Sequence, residues 1–117
     1  YERKGFVTDV LKERLAGAPA LDFAVAIGPV PMMKAVANVT RTASIPTIAS
    51  LNTVMIDGTG MCGGCRVTVG GQVRFACVDG PCFDAHEVDF DEMTRRNRAY
   101  REMEQLALQH DCRLGLR

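Results

Sequence analysis

The sequence DGTGMCGGC occupies residues 57–65 and places four glycines and two cysteines within nine positions. It has neither the helical period of an amphipathic helix nor the alternation of a strand, so it predicts a loop. Glycine allows the left-handed backbone conformations that bring peptide N–H groups close to a bound anionic group. Gly58, Gly60, Gly63 and Gly64 therefore predict a loop that wraps closely around a ligand.

A β-hairpin is predicted directly after this loop, over residues 66–76, with its turn at Gly70-Gly71. The turn sequence alone favours a two-residue connection, whereas the alternation of apolar residues favours a three-residue one. We expect the apolar pattern to set the register, because a buried face specifies strand pairing strongly. The expected opposing pairs are Val69 with Val73, Val67 with Phe75, and Cys65 with Cys77.

Four residues of the loop and hairpin have the spacing of iron–sulfur ligands. They are Asp57, Cys62, Cys65 and Cys77, in the pattern D-x4-C-x2-C-x11-C. The plant-type iron–sulfur pattern is C-x4-C-x2-C with a distant fourth cysteine, so this chain has the same spacing with an aspartate in the first place. A carboxylate carries the charge of a thiolate, and the set predicts a 2Fe-2S cluster.

Two other interpretations use the same cysteines. The pattern C-x2-C-x11-C-x4-C, with Cys82 in place of Asp57, is an acceptable ligand set for a structural zinc site, to which His86 could contribute. Such a site would make the chain a non-catalytic interaction module that docks a larger subunit. The other is a redox disulfide between Cys62 and Cys65, although the helix N-terminus that commonly lowers a thiol pKa is missing there. Cys112 is expected to be an ordinary thiol.

Upstream of the loop, residues 1–51 predict two helices and two strands in the order α-β-α-β. Residues 23–27 are an unbroken apolar run, which is typical of a parallel strand buried on both faces. The turn at residues 28–31 follows, and a strand that ends in glycine before a helix N-terminus is a candidate anion or nucleotide contact. These elements are half of a doubly wound sheet, too few for a complete nucleotide-binding domain. The predicted inner face of the second helix consists of Met33, Val36, Ala37 and Thr40.

From Asp89 onward the sequence predicts one long helix. Asp89 followed by Glu92 resembles a capping box. Four arginines crowd this helix, but acidic residues flank them, so we expect a solvated face or a subunit contact. The arginines are Arg95, Arg96, Arg98 and Arg101, and the predicted inner stripe is Phe90, Met93, Tyr100, Met103, Leu106 and Ala107.

The composition is that of an ordinary globular protein of single-domain length. The chain has 117 residues, 47% of them hydrophobic, with 14 basic and 14 acidic residues. A net charge of zero argues against a nucleic-acid or anionic-membrane binder, whose footprint would be basic, and no apolar run approaches membrane-spanning length. An odd number of cysteines, mostly crowded into residues 62–82, favours a reducing, cytoplasmic location. The chain begins with Tyr1 rather than Met, and we expect a piece of a longer protein.

Four segments resemble the C-terminal part of a family of iron–sulfur flavoprotein electron-transfer subunits. This family includes the electron-transfer subunit of dihydroorotate dehydrogenase and the small subunits of sulfide dehydrogenase and of NADH-dependent ferredoxin:NADP oxidoreductase. The resemblance covers essentially the whole chain, and the cluster segment is its most specific part. The segments are KGFVTDVLKERL, AVAIGPVPMMKAV, DGTGMCGGCRVTV and FACVDGPCFDAHEVDFDEM.

The resemblance implies an α/β fold in two parts. Residues 1–51 would be the second half of a ferredoxin-reductase-type NAD(P)-binding domain. Residues 52–117 would be a small 2Fe-2S domain made of the glycine-rich loop, the hairpin and the long C-terminal helix. Cys62, Cys65 and Cys77 fall on cluster cysteines of the family, and Asp57 stands where the ferredoxin:NADP oxidoreductase branch has an aspartate ligand.

The same resemblance implies further cofactors and partners for the full-length protein. These are FAD and NAD(P), a catalytic large subunit, and ferredoxin or NAD(P)H as the redox partner. The chain alone would be inactive as an NAD(P)H-linked oxidoreductase. The residues at the turn that lies near the nicotinamide in the relatives are Gly28, Pro29, Val30, Pro31 and Met32.

Overall fold

The computed structural model describes residues 4–17 and 20–109. Predictions for Tyr1 and Cys112 lie outside these residues. No helix in the described ranges is long and apolar enough to cross a membrane. The elements in chain order are α1 (Val7–Ala16), β1 (Ala24–Ile27), α2 (Val30–Thr42), β2 (Thr47–Ser50), β3 (Arg66–Val69), β4 (Gln72–Phe75), α3 (Ala76–Asp79), β5 (Cys82–Asp84), α4 (Phe90–Asn97) and α5 (Arg101–Gln109).

The predicted α-β-α-β segment is confirmed. β1 and β2 pair in parallel, and α2 connects them. Pro31 lies in the first turn of α2, where the missing N–H costs nothing because no helical carbonyl is available to it. The predicted inner face of α2 is buried along its whole length, at Met33, Val36, Ala37 and Thr40.

The expectation that the first strand is buried on both faces is wrong. β1 lies at one edge of a three-stranded sheet of order β1-β2-β5. Its Ala26 is buried in the core, whereas Val25 and Ile27, which point to the other face, are 58% and 70% exposed. Side chains of a strand alternate between the two faces of a sheet, and in the described residues only one face of β1 packs into the core.

The third strand of this sheet, β5, comes from the second half of the chain and was not predicted. It pairs antiparallel with β2, opposing Ser50 with Cys82. One hydrophobic core joins both halves, because Met33 of α2 and Met93 of α4 belong to the same buried cluster, at 0% and 1% exposure. The division of the chain at residue 51 remains a prediction about domains in the longer relatives.

The predicted hairpin is present, but its predicted register is wrong. Val69 opposes Gln72 and Val67 opposes Arg74, so the turn has the two residues Gly70 and Gly71. Both glycines have positive φ, 57° and 74°, as a two-residue turn with left-handed backbone requires. The apolar pattern failed as a guide because β4 has no buried face.

The predicted single C-terminal helix is two helices, α4 and α5. Asp89 caps α4 as expected, because its carboxylate accepts hydrogen bonds from the N–H groups of Asp91 and Glu92. α4 ends where hydrogen bonds shift to carbonyls three residues back, as from Ala99 N–H to Arg96 O. The predicted inner stripe is buried only at Phe90 and Met93. Its remaining members are exposed among the described residues: Tyr100, Met103, Leu106 and Ala107.

Candidate metal centre

The carboxylate of Asp57 closes the glycine-rich loop. Its Oδ1 accepts a hydrogen bond from the Thr59 N–H at 2.9 Å, and its Oδ2 accepts one from the Cys62 N–H at 3.1 Å. The backbone hydrogen bond from Thr59 is the main cause that holds the pKa of Asp57 below its ordinary value, and contacts with Cys62 act in the same direction. The carboxylate is therefore ionised at neutral pH and adjacent to Cys62.

Three of the four loop glycines have the predicted left-handed backbone. The φ angles are 71° at Gly58, 80° at Gly60 and 68° at Gly63. Gly64 is the exception, and there the absence of a side chain makes room for Ile56, whose Cδ1 would lie 3.1 Å from an added Cβ. The Gly64 N–H donates to the Sγ of Cys62 at 3.4 Å. The loop thus directs a peptide donor at a cysteine sulfur.

The second pair of predicted ligands comes together at the base of the hairpin. Cys65 is 1% exposed, and its Sγ lies 3.1 Å from the Sγ of Cys77. The Cys77 N–H points toward the Cys65 Sγ at 3.5 Å. Hydrogen bonding to Cys65, followed by desolvation, raises the pKa of the Cys77 thiol.

Cys77 reaches Cys65 by a different route from the one predicted. The strand pairing ends with Arg66 opposite Phe75. The short helix α3 begins immediately afterwards, and the Ala76 N–H donates to the Cys65 carbonyl at 3.1 Å. The carboxylate of Asp79 accepts from the Phe75 N–H at 2.7 Å and holds this turn. The predicted hairpin register is therefore wrong, but the predicted proximity of Cys77 to Cys65 is confirmed.

The four predicted ligands form two pairs, Asp57 with Cys62 and Cys65 with Cys77. Within residues 4–17 and 20–109, no three His, Cys, Asp or Glu side chains form a group that could hold a single metal ion. The additional ligands of the zinc interpretation lie elsewhere. Cys82 is exposed in β5, and the His86 Nε2 lies 3.0 Å from the Thr40 Oγ1. Which metal the two pairs bind therefore stays a prediction.

The turn at residues 28–32 starts α2 and forms one side of a separate apolar cleft. Gly28 has a φ of 153°, which L side chains rarely adopt, and the terminal methyl group of Met32 packs where a Cβ would lie. The Pro29 carbonyl accepts from the N–H groups of Met32 and Met33 at 2.9 and 3.1 Å, while Val30 is buried in the core. The cleft has a volume of about 350 Å³, and its walls include Phe6, Val7, Pro29, Pro31 and Met32. The contribution of Phe6 and Val7, at the start of α1, was not predicted. The signal for it in the sequence is the pair of consecutive apolar residues at this helix start.

One contact to the cysteine loop was also not predicted. The Arg96 Nη2, in α4, donates to the Gly63 carbonyl at 3.2 Å, across 33 positions of sequence. Arg96 is therefore half-buried against the loop rather than fully solvated, and one of its N–H groups is used in this contact. No motif in the sequence signals this, because the contact depends on how α4 packs against β3.

These features define a small mixed α/β domain of the kind found in electron-transfer subunits of ferredoxin-reductase-like proteins. Residues 52–89 match the family described as the iron-sulfur cluster binding domain of dihydroorotate dehydrogenase B. The matched residues include both pairs of predicted ligands. The predicted resemblance to the C-terminal part of iron–sulfur electron-transfer subunits is thereby confirmed.

Individual relatives and one solved structure are similar to most of the chain. The chain is 53% identical over 105 residues to an uncharacterized protein in the adh 3' region of Clostridium beijerinckii, covering 89% of this chain and 36% of that protein. It is 49% identical over 104 residues to the dihydroorotate dehydrogenase B (NAD(+)) electron transfer subunit homolog of Thermotoga maritima, again covering 89% of this chain and 36% of the relative. A solved chain of the NADH-dependent reduced ferredoxin-NADP oxidoreductase superposes with a TM-score of 0.83 at 48% identity, covering 91% of this chain and 38% of that one. The chain thus spans somewhat more than a third of the length of these relatives.

Proposed function

We propose that the chain is the cluster-bearing part of an oxidoreductase electron-transfer subunit. A 2Fe-2S cluster would relay single electrons between a flavin that exchanges hydride with NAD(P)H and a partner subunit. The observation that carries this proposal is the pairing of Asp57 with Cys62 and of Cys65 with Cys77 around one glycine-rich loop. The loop would hold the cluster through these four side chains.

The donor chemistry of the loop fits such a cluster. Hydrogen bonds to sulfur are one of the means by which a protein sets the reduction potential of an iron–sulfur centre, and the N–H groups of Gly64 and Cys77 point to cysteine sulfurs. Each carboxylate oxygen of Asp57 has a second lone pair beyond the one used by its hydrogen bond. Asp57 can therefore hold the loop closed and bind metal at the same time.

The remaining parts of the proposal rest on the resemblance to the iron–sulfur electron-transfer subunits. Residues 1–51 would complete an NAD(P)-binding domain together with segments that the longer relatives have, and the turn at residues 28–32 would lie near the nicotinamide. FAD would be bound outside this chain. The partner would be a catalytic large subunit, with ferredoxin or NAD(P)H as the redox partner, and the chain alone would not turn over NAD(P)H. A cytoplasmic location accords with the cysteines of the described residues, which form no disulfide.

Serine substitutions test the ligand assignment. Cys62→Ser or Cys65→Ser in anaerobically purified protein is expected to abolish the visible iron–sulfur spectrum, because each removes a thiolate ligand. Cys82→Ser is the matched control and is expected to keep the spectrum, since Cys82 lies in β5. A cluster at full occupancy in both of the first two variants would overturn the proposal.

The aspartate is tested by the opposite change. Asp57→Cys restores the plant-type spacing of four cysteines, so we expect a cluster with an altered reduction potential. Loss of the cluster in this variant, with retained folding by circular dichroism, would mean that the loop requires the carboxylate hydrogen bonds to Thr59 and Cys62. The proposal for Asp57 as an exchangeable ligand would then fail.

A further inference from the structure

A cleft of about 200 Å³ lies beside the cysteine loop, between that loop and the end of α4. Its polar lining consists of Thr53, Arg66, Arg96, Asn97 and Tyr100. Its apolar lining includes Val54, Met93 and Ala99. The cleft thus combines two guanidinium groups, an amide and two hydroxyls with a patch of hydrocarbon.

The two arginines have spare capacity for a ligand. Across the described part of the chain, neither Arg66 nor Arg96 forms an ion pair with an Asp or Glu side chain; the Lys34–Asp91 pair lies elsewhere. Arg96 donates one N–H to the Gly63 carbonyl. A guanidinium has five N–H donors in a fixed fork, so most of its donors remain available.

A polar group in the wall of the cleft also lacks a partner. The Thr53 Oγ1 is buried and makes no hydrogen bond within the described structure. A buried hydroxyl without a partner is unfavourable, and threonine has more than one accessible χ1 rotamer outside regular strands and helices. Rotation of this side chain, which lines the cleft, would present the hydroxyl to a bound acceptor.

We propose that this cleft binds a carboxylate. The arginine fork matches the planar, bidentate geometry of a carboxylate, and the Thr53 and Tyr100 hydroxyls and the Asn97 amide supply further donors. The apolar lining would pack against the carbon chain that carries the acid group. A carboxylate on a carbon chain suits this lining better than inorganic phosphate, because phosphate has no hydrocarbon to pack against Val54, Met93 and Ala99.

The bound carboxylate has two possible sources with the same chemistry. It can belong to a small organic acid, or to an acidic side chain of a protein that docks against the cysteine loop. Succinate represents the first source, and N-acetyl-glutamate amide represents the second. The proposal concerns binding alone and does not depend on whether the loop holds a cluster.

The proposal is tested by isothermal titration calorimetry of the 117-residue chain with each probe at fixed ionic strength. A titration with chloride is the control for non-specific anion binding. We expect saturable binding that weakens at least ten-fold in Arg66→Gln and in Arg96→Gln. Arg95→Gln removes the same charge from an exposed position of α4 outside the cleft, and it is expected to bind as the unsubstituted chain does. Arg66 is exposed on β3, so its variant remains informative if Arg96→Gln fails to fold.

Preference for succinate would assign the site to a free acid, and preference for the glutamate derivative would assign it to a docking side chain; either result supports a carboxylate site. Absence of saturable binding for both probes would overturn the proposal. The proposal would also be overturned if Arg95→Gln weakened binding as much as the two cleft variants do, because the binding would then result from general charge attraction. Neither failure bears on the iron and sulfide content of the protein.

Discussion

Replacing Met93 by alanine is expected to destabilise the entire chain rather than α4 alone. Met93 is 1% exposed and packs in one buried cluster with Met33 of α2, although α2 and α4 come from the two halves of the chain. Truncating a buried methionine to alanine costs about 2–5 kcal/mol, from lost transfer free energy and the cavity left behind. A chain of this length has a total stability of roughly 6–18 kcal/mol, so the loss is a large share of it.

Equilibrium urea unfolding followed by far-ultraviolet circular dichroism, in reducing buffer, measures this loss. The urea midpoint is expected to fall by roughly 1 M or more. Met33→Ala, at a residue that is 0% exposed, should give a loss of similar size on the same single transition. Met103→Ala is the matched control, because that side chain is 69% exposed in α5 and surface changes usually stay within about 0.5 kcal/mol.

Two outcomes would refute the shared core. One is a Met93→Ala variant that costs no more than Met103→Ala. The other is a pair of separate transitions, one shifted only by Met33→Ala and the other only by Met93→Ala. The first would mean that Met93 does not contribute to the core, and the second would mean that the two halves of the chain fold independently.

Three further predictions concern the backbone and the surface. Gly71→Ala should destabilise the chain by about 1–2 kcal/mol, because Gly71 has a left-handed φ of 74°. Gly71→Asn should destabilise it less. Equal urea midpoints for the glycine and alanine forms would contradict this prediction. Asp89→Ala should lower the free energy of unfolding by about 1 kcal/mol, because α4 loses its N-cap. Asp89→Asn should retain most of this stabilisation. An alanine variant with an unchanged urea midpoint would contradict a stabilising cap. Lys34 lies 2.6 Å from Asp91 and lowers the pKa of that carboxyl. The stabilisation by this pair should therefore be complete above the ordinary pKa of 3.8 and disappear as the pH falls through the lowered value. Asp91→Asn should lower the urea midpoint at pH 7 and lower it progressively less as the pH falls below 3.8, and a difference that stays constant with pH would contradict the pairing.

The elements with strong periodicity could be predicted from the sequence. The buried face of α2 carries Met33, Val36, Ala37 and Thr40 at helical spacing, and all four are buried. The Asp89 cap was also predicted, because a capping side chain acts on N–H groups only two or three residues away. In both cases the deciding interactions are local or repeat with a regular period.

The errors arose where long-range packing decides the structure. The apolar run at residues 23–27 is typical of a doubly buried strand, but whether Val25 and Ile27 are covered depends on what packs on that face. β5 has only three residues, too few to show a period, and it exists because β2 offers it an edge. The hairpin register follows the Gly70-Gly71 turn because β4 has no buried face to oppose it.

In the candidate site, too, local contacts could be predicted from the sequence and long-range contacts could not. The sequence predicted that Cys77 lies beside Cys65, and the structure confirms this contact; that Asp57, Cys62, Cys65 and Cys77 bind one cluster stays a prediction. The contact of Arg96 with the Gly63 carbonyl joins residues 33 positions apart. This contact depends on how Met93 packs α4 into the core, and no local sequence pattern predicts it.

Metal analysis of anaerobically purified protein, combined with its visible spectrum, tests the central claim most directly. The proposed relay predicts about two irons and two inorganic sulfides per chain, with visible bands that bleach on addition of dithionite. Zinc in place of iron, in protein that was never exposed to air, would contradict the claim and make the loop a structural site.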